Sequence, residues 1–336
     1  MSQNGPNKLL EMNSEREVSK MSDSDNLYSS IEEYKHQSSS LYSPISFSMY
    51  SELIKSKQTF LLVYTTICAY LISAWNSGIF LLELTWLIVG MFFAVSGSTL
   101  LNMYVDRDID ALMERTKNRP LPSGRVPPST VLKHGIFFTI AGILAIGIFV
   151  DVITMIIVFL GFFFDVVVYS ILLKRRTKFS IIFGGIAGGL PAMAGRTAVI
   201  GTIDIVALLM GLFVLCWIPL HILTLALMPR NFKGYCVANV PMWPVVSGRN
   251  QTIRVITISA ILSAILIVLT GVFLEINIVP MLPLIIFCLY ILYQAFTNLG
   301  NPTDERTFKI FKLASVFMVL AYLLLFIGVI ITPFFV

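Results

Sequence analysis

The sequence predicts an all-α, polytopic membrane protein built as a bundle of nine transmembrane helices. Hydrophobic residues make up 56% of the 336 residues and charged residues only 13%, whereas a soluble domain carries about 25% charged residues. The mean hydropathy is +0.82. Apolar runs long enough to cross a bilayer, about 17–25 residues each, lie near residues 59–76, 79–105, 132–150, 152–173, 179–199, 203–228, 252–273, 277–298 and 309–334.

Residues 1–50 precede these runs and have a different composition. They are polar and rich in serine, carry both signs of charge, and lack the apolar core of a signal peptide. Their acidic residues argue against an organelle transit peptide, so a prokaryotic plasma membrane is the expected location. We expect residues 1–50 to form a disordered polar tail on the cytoplasmic side, followed by one membrane domain over residues 51–336.

The distribution of basic residues predicts the orientation of the chain, because lysine and arginine prefer cytoplasmic loops. Connections after the odd-numbered runs are almost bare of them. Connections after the even-numbered runs hold Arg107, Arg115, Lys117, Arg119, Arg125 and Lys133, then Lys174, Arg175, Arg176 and Lys178, then Arg230, Lys233, Arg249 and Arg254, and finally Arg306, Lys309 and Lys312. We therefore expect a cytoplasmic amino terminus and an external carboxyl terminus. The net charge of +5 is explained by these loops and implies no nucleic-acid partner.

An acidic cluster follows the second apolar run. Asn102, Asp106 and Asp110 are spaced four residues apart, so on a helix each step turns only about 40° and all three share one face. Like charges at this spacing repel, whereas carboxylate and amide oxygens suit a hard cation such as Mg²⁺, which usually also binds phosphate oxygens. The cluster predicts metal-assisted handling of a phosphorylated ligand. Asp108 points about 200° away from Asp106 and is expected at the surface.

Two basic stretches are candidates for binding the phosphates. The first follows the acidic cluster and contains Arg115, Lys117 and Arg119; the second ends the fourth run and contains Lys174 and Arg175, one turn after Tyr169. Arginine gives bidentate contacts to phosphate oxygens and lysine gives a point charge. The simpler interpretation of the second stretch is anchoring at the cytoplasmic surface.

The sixth run contains a histidine, His221, in the pattern Trp217-x-Pro219-x-His221, and Tyr235 follows in the next loop. A proline inside a membrane helix frees backbone groups that can line a cavity. The histidine could bind an acceptor molecule or act as a base, or it could form a hydrogen bond with a neighbouring helix.

The fifth run is rich in glycine. Small residues at this spacing allow helices to approach closely, and this is the favoured interpretation. The alternative is that they leave space for a lipid tail or a planar ring. The residues concerned are Gly184, Gly185, Gly188, Gly189 and Gly195.

At these residues the chain resembles the UbiA-type family of intramembrane prenyltransferases, and within it the branch that farnesylates haem. The resemblance covers roughly residues 50 to 334. The matching motifs are Asn102-x-x-x-Asp106-x-x-x-Asp110, Ile109-Asp110-x-x-Met113-x-Arg115-Thr116-x-x-Arg119-Pro120-Leu121-x-x-Gly124, Tyr169-x-x-x-Leu173-Lys174-Arg175-Arg176-Thr177, Gly184-Gly185-x-Ala187-Gly188, and Trp217-x-Pro219-x-His221 with Pro241-Met242-x-Pro244.

The resemblance implies an intramembrane prenyltransferase domain over residues 51–336, with helices around a central cavity and cytoplasmic loops that cap it. It implies that Mg²⁺ links farnesyl diphosphate to Asn102, Asp106 and Asp110. The implied diphosphate-binding residues are Arg115, Lys117, Arg119, Tyr169, Lys174 and Arg175, and the implied catalytic residues are Asp106, Asp110, Lys174 and His221.

On the acceptor side, the resemblance implies that a vinyl group of protoheme IX (haem B) receives the farnesyl group and that water then adds, giving haem O for terminal oxidases. His221, Trp217 and Tyr235 are the implied acceptor-binding residues. The lipid bilayer is an implied partner, as are a downstream haem A synthase or terminal oxidase assembly proteins.

Three alternatives stay open on the sequence alone. The chain could be a prenyltransferase of the same family that acts on a quinone precursor or a glycerol phosphate lipid. It could be a membrane transporter with an acidic cytoplasmic mouth, although the charges lie at the rim rather than at the midplane that transporters use. It could also be a non-catalytic assembly factor, which would not need the complete Asn/Asp/Asp set.

Overall fold

The computed structural model describes residues 46–335, and within this range the chain is helical and contains no strand. The predicted tail lies outside the described residues except for residues 46–50. Eleven helices follow one another: α1 Phe47–Leu53, α2 Ser56–Ala74, α3 Leu81–Leu112, α4 Pro128–Phe149, α5 Val152–Leu173, α6 Ser180–Ile200, α7 Ile205–Ala226, α8 Pro229–Val237, α9 Trp243–Phe273, α10 Ile278–Gly300 and α11 Asp304–Ile331.

The all-α, multi-pass prediction is confirmed. Nine long helices among residues 46–335 correspond to the nine apolar runs, and seven of them are both long and apolar enough to cross a membrane. The other two, α2 and α6, are less apolar, because α2 begins with Lys57 and Gln58 and α6 is rich in glycine. At 1.5 Å per residue, even α2 is roughly 28 Å long, close to the thickness of the bilayer core.

Small residues set the closest helix contacts. A methyl group added to Gly189 of α6 would collide with the backbone oxygen of Gly211 in α7, and one added to Gly195 would collide with the backbone oxygen of Thr66 in α2. These glycines serve packing, as predicted. Gly184 lies instead against the Tyr169 ring and lines a cavity.

Polar contacts define two ends of the bundle. At one end, here called the basic-loop end, Lys174 contacts Asp106, Lys178 Nζ donates to Ser247 Oγ (2.7 Å), and Arg249 pairs with Asp304 (2.6 Å). These contacts join the ends of α3 and α5 to the starts of α9 and α11.

At the opposite end, here called the far end, Arg196 pairs with Asp204 (2.6 Å) and donates to Ser73 Oγ (3.2 Å). Asp204 also caps α7 by accepting from the Ala207 backbone N–H. The far end therefore joins the end of α2, the end of α6 and the start of α7.

Two helices differ from the expected boundaries in ways that matter for the site, and a third, α5, keeps its boundaries but changes its helix type. α3 continues through residue 112 rather than ending near residue 105, so the whole acidic cluster is helical. α5 changes from α-helix to π-helix over Phe163–Leu173. α9 begins at Trp243 and is kinked at Gly248, whose φ of 74° ordinary residues rarely adopt.

Candidate active site

The three predicted metal ligands lie on one buried face of α3. Asn102, Asp106 and Asp110 are 8%, 6% and 5% exposed. Each has one side-chain partner from elsewhere: Asn102 Nδ2 donates to Asp165 Oδ2 (2.6 Å), Lys174 Nζ donates to Asp106 Oδ2 (2.5 Å) and Arg119 donates to Asp110 Oδ2 (2.7 Å). These partners offset the repulsion within the cluster, which explains why the helix persists through it.

The donor set fits a hard divalent cation. Asn102 Oδ1 and Asp106 Oδ1 are buried and have no hydrogen-bond partner among the described residues, and an unpaired buried oxygen is costly. Oxygen ligands of this kind suit Mg²⁺. Within residues 46–335, no group of three or more His, Cys, Asp or Glu residues forms a metal site by itself. Two carboxylates and one amide leave coordination positions open for ligand oxygens.

The structure separates the predicted phosphate-binding cations into two groups. Lys174 and Arg119 lie inside the site through their contacts with Asp106 and Asp110. Burial alone would lower the pKa of Lys174, but Tyr169 and the Asp106 carboxylate together raise it above its usual value, so this lysine is a permanent cation.

The other three predicted cations are at the surface. Arg115 is exposed, and Lys117 pairs with Glu114 (2.8 Å). Arg175 forms a two-pronged contact with Asp108, at 2.6 Å for both bonds. Asp108 is therefore exposed and paired outside the cluster, as its predicted direction on the helix required.

Lys55, at the start of α2, was not predicted from the sequence and interacts electrostatically with Asp106, Asp110, Arg119 and Lys174. Its pKa is lowered to about 8, chiefly by burial and then by the positive charges of Arg119 and Lys174. It adopts a left-handed backbone conformation, with a φ of 46°, that is uncommon outside glycine.

A cavity of about 610 Å³ lies inside the bundle, and Asp165, the hydrogen-bond partner of Asn102, lines it. Its volume is within the usual range of about 300–1,000 Å³ for ligand pockets. Ser98 and Thr99 line it one turn before Asn102, and Asp165 and Tyr169 line it from the π-helical part of α5. Its remaining wall is mostly apolar and includes Leu61, Leu62, Met91, Val95, Val158, Phe162, Ile181, Leu190, Val214, Ile218 and Met318.

His221 lies on the cavity wall between two aromatic rings. It stacks on Trp217 at a centroid distance of 4.7 Å and on Phe311 at 4.8 Å, and Ser315 Oγ lies 3.4 Å from its Nδ1. The Trp217 indole N–H donates to the backbone oxygen of Ala314 (2.7 Å), which fixes the ring. Tyr235, on α8, packs on the hydrophobic core and does not line the cavity.

Asp165 was also missed, although the sequence offered a signal. It is the single charged residue in the run 152–173, and an ionisable residue inside a membrane segment is a functional candidate by default. π-Helical turns are rare and often occur at functional sites. The π-helix brings Asp165 and Tyr169, four residues apart, to the same cavity.

Comparison with known proteins identifies the class. Residues 62–321 match the UbiA prenyltransferase family. Because this match covers most of the chain, the chain belongs to the UbiA prenyltransferase family, and it is an integral, multi-pass membrane protein. The family resemblance carried by the Asn102, Asp106 and Asp110 motif is thereby confirmed.

Similar curated proteins narrow the class to one branch. A protoheme IX farnesyltransferase from Archaeoglobus fulgidus is 36% identical over 289 residues, which cover 83% of this chain and 96% of the relative. Seven further relatives, 35–45% identical over 45–82% of this chain, carry the same name.

Solved structures share the fold. A digeranylgeranylglyceryl phosphate synthase has a TM-score of 0.70 at 22% identity and covers 84% of this chain and 98% of its own. A UbiA homologue from Archaeoglobus fulgidus bound to GPP and Mg²⁺ has a TM-score of 0.60 at 14% identity. The match covers 82% of this chain and 99% of the homologue.

Proposed function

We propose that the protein transfers a farnesyl group from farnesyl diphosphate to a vinyl group of protoheme IX, with addition of water, to give haem O. The observation that carries this proposal is the buried Asn102, Asp106 and Asp110 face, with two unpartnered oxygens. Through Asp165, the partner of Asn102, it adjoins a cavity whose wall also carries His221. The 36% identity to a protoheme IX farnesyltransferase supports the choice of acceptor.

On the donor side, Asn102, Asp106 and Asp110 would hold Mg²⁺, which when bound supplies positive charge beside the departing diphosphate. Lys174 and Arg119, which contact Asp106 and Asp110, would neutralise the remaining negative charge together with Lys55. Arg115, Lys117 and Arg175 lie at the surface and would attract the diphosphate before it binds. Tyr169, which lines the apolar cavity, would lie between the diphosphate and the prenyl chain.

The reaction depends on charge stabilisation and on the exclusion of water more than on a strong base. The bond between C1 of the farnesyl group and the diphosphate oxygen breaks, and the electron pair leaves with pyrophosphate. The vinyl group attacks C1, water adds to the resulting cation, and one proton is released. The apolar wall keeps other water from C1 until the acceptor has attacked.

On the acceptor side, His221 and Trp217 would contact the planar macrocycle. The His221 ring already lies stacked between Trp217 and Phe311, and aromatic rings suit contact with a porphyrin. Tyr235, which packs on the core from α8, would contribute only indirectly. His221 would orient the vinyl group or accept the released proton.

We further propose that the basic-loop end faces the cytoplasm of a prokaryotic cell, with the carboxyl terminus outside, and that the bilayer surrounds the nine long helices. Haem O would pass to a haem A synthase or to terminal oxidase assembly proteins. The support is the concentration of lysine and arginine at that end.

The test is to incubate the purified protein with haem B, farnesyl diphosphate and Mg²⁺. We expect pyrophosphate release together with a haem whose mass has increased by one farnesyl group and one hydroxyl group. Parallel reactions should offer a quinone precursor and a glycerol phosphate lipid as acceptors. Turnover of either of these without turnover of haem B would refute the proposed acceptor and leave the proposed donor chemistry intact.

A further inference from the structure

The Asp165 carboxylate occupies a position that the proposed mechanism does not use. It lies on the cavity wall in the π-helical part of α5, and its Oδ2 accepts a hydrogen bond from Asn102 Nδ2 at 2.6 Å. A buried carboxylate in a membrane segment is expensive and needs partners.

This contact decides which way the Asn102 amide faces. An amide offers a hydrogen-bond donor at one end and an acceptor at the other. In this contact Asn102 turns its NH₂ group to Asp165 Oδ2. Its Oδ1 then faces away. Within the acidic cluster, this oxygen and Asp106 Oδ1 are the two buried oxygens that lack a hydrogen-bond partner among the described residues.

We propose that Asp165 is a positioning residue for the divalent metal: it holds the Asn102 side chain so that Oδ1 is presented as a ligand. The proposal rests on the metal site of the proposed function, and it is independent of the acceptor. Asp165 does not complete a three-carboxylate site with Asp106 and Asp110, since residues 46–335 contain no such group. It acts through Asn102, as a residue that orients a metal ligand commonly does.

The test measures metal binding directly. Mn²⁺, which can replace Mg²⁺ and is visible by electron paramagnetic resonance, is titrated into the full-length protein in detergent without prenyl donor or haem. Asp165→Asn introduces an amide that can donate as well as accept, so the direction of the Asn102 amide is no longer fixed. We expect this change to weaken Mn²⁺ binding roughly 10–100-fold, the usual effect of removing such an orienting partner.

The matched control is Asp151→Asn. This residue caps the start of the same helix by accepting from Thr154 N, and asparagine caps equally well, so Mn²⁺ affinity should stay at the wild-type value. Circular dichroism and thermal unfolding of each variant show whether the fold is retained.

Two further variants separate positioning from direct ligation. If Asp165 acts only through Asn102, the double variant Asn102→Ala/Asp165→Asn should bind Mn²⁺ no more weakly than Asn102→Ala alone, because coupled residues are not additive. Exchanging the two side chains in Asn102→Asp/Asp165→Asn reverses the donor and the acceptor. This exchange should recover much of the affinity that Asn102→Asp loses by placing two carboxylates in contact.

Wild-type affinity in Asp165→Asn would overturn the inference, and so would additive losses in the double variant, which would make Asp165 a ligand in its own right. A wild-type protein that binds no Mn²⁺ would remove the metal site itself, and with it both the inference and the donor half of the proposed function. Wild-type binding combined with an unaffected Asp165→Asn removes the inference alone.

Discussion

Asp106 and Asp108 show how two identical side chains two residues apart acquire different tasks. The Asp106 side chain is 8% exposed and pairs with Lys174, whereas the Asp108 side chain is 61% exposed and pairs with Arg175. The difference comes from the helix, which turns about 200° between them. One carboxylate consequently faces the cavity side of α3 and the other faces solvent.

This pair gives a matched prediction. Asp106→Asn removes a ligand oxygen's charge and leaves Lys174 without its partner, so kcat/KM for the prenyl donor should fall roughly 100-fold or more. Asp108→Asn breaks only an exposed ion pair, worth about 0–1 kcal/mol, and should change kcat/KM little. Steady-state kinetics with saturating acceptor measure both values. Equal activity of the two variants would refute the assignment of Asp106.

Lys55 predicts a pH dependence. Because its pKa is lowered to about 8, the free protein carries this positive charge below pH 8 and loses it above. The kcat/KM for the prenyl donor should therefore fall as the pH rises through about 8. In the pH profile of kcat, the same decrease should occur at a higher pH, because a bound diphosphate favours the charged form of Lys55.

The control for this profile is Lys55→Arg. Arginine stays protonated throughout this range, so the variant should keep its donor kcat/KM above pH 8, while Lys55→Met should be low at every pH. A falling limb that persists unchanged in Lys55→Arg would assign the titration to another group.

At this scale, spacing was sufficient to find the acidic cluster, because the helical period alone places Asn102, Asp106 and Asp110 on one face. It was insufficient to rank the cations. Whether Lys174 enters the site and Arg175 does not depends on how the ends of α3 and α5 meet, and that is a tertiary property. Lys55 escaped prediction for the same reason.

At the scale of elements, α6 and α7 form a wall of the cavity, and their distance is set by backbone contact. Gly189 faces the backbone oxygen of Gly211, which cannot move aside as a flexible side chain could. The glycine pattern predicted close packing correctly. No sequence pattern predicted the π-helical part of α5, because a change from α-helical to π-helical hydrogen bonding depends on the neighbouring helices.

Gly189→Ala should therefore destabilise the protein by about 1–3 kcal/mol, the usual range for overpacking. Its matched control is Gly300→Ala at the end of α10, where an added methyl group meets open space and the stability should be unchanged or slightly higher. Thermal unfolding in detergent compares the two variants with the wild type. Equal melting temperatures would show that α6 and α7 adjust without cost.

At the scale of the molecule, the fold class and the nine long helices followed from composition and hydropathy, because a bilayer demands helices of a fixed minimum length. The alternation of basic loops anticipated the two ends. At the far end, the basic residue Arg196 is neutralised by Asp204, which increases the difference in positive charge between the two ends. The kink at Gly248 and the extension of α9 to Trp243 could not be predicted, because they depend on a tertiary contact. This contact joins Ser247, at the start of α9, to Lys178.

The orientation of the whole molecule can be tested with a cysteine that the chain already contains. Cys236 is exposed on α8 at the basic-loop end, where Arg230 of the same helix donates to the backbone oxygen of Glu114. The other three cysteines lie in long helices and are buried or partly buried.

If the basic-loop end is cytoplasmic, a membrane-impermeant maleimide should label Cys236 in inverted membrane vesicles and not in intact cells, and Cys236→Ser should abolish the labelling. Thr202→Cys, placed at the exposed far end in the Cys236→Ser background, should show the reverse pattern. Labelling of Cys236 from outside the cell would invert the topology and place diphosphate capture on the external face, where the positive-inside preference gives no reason for so many basic residues.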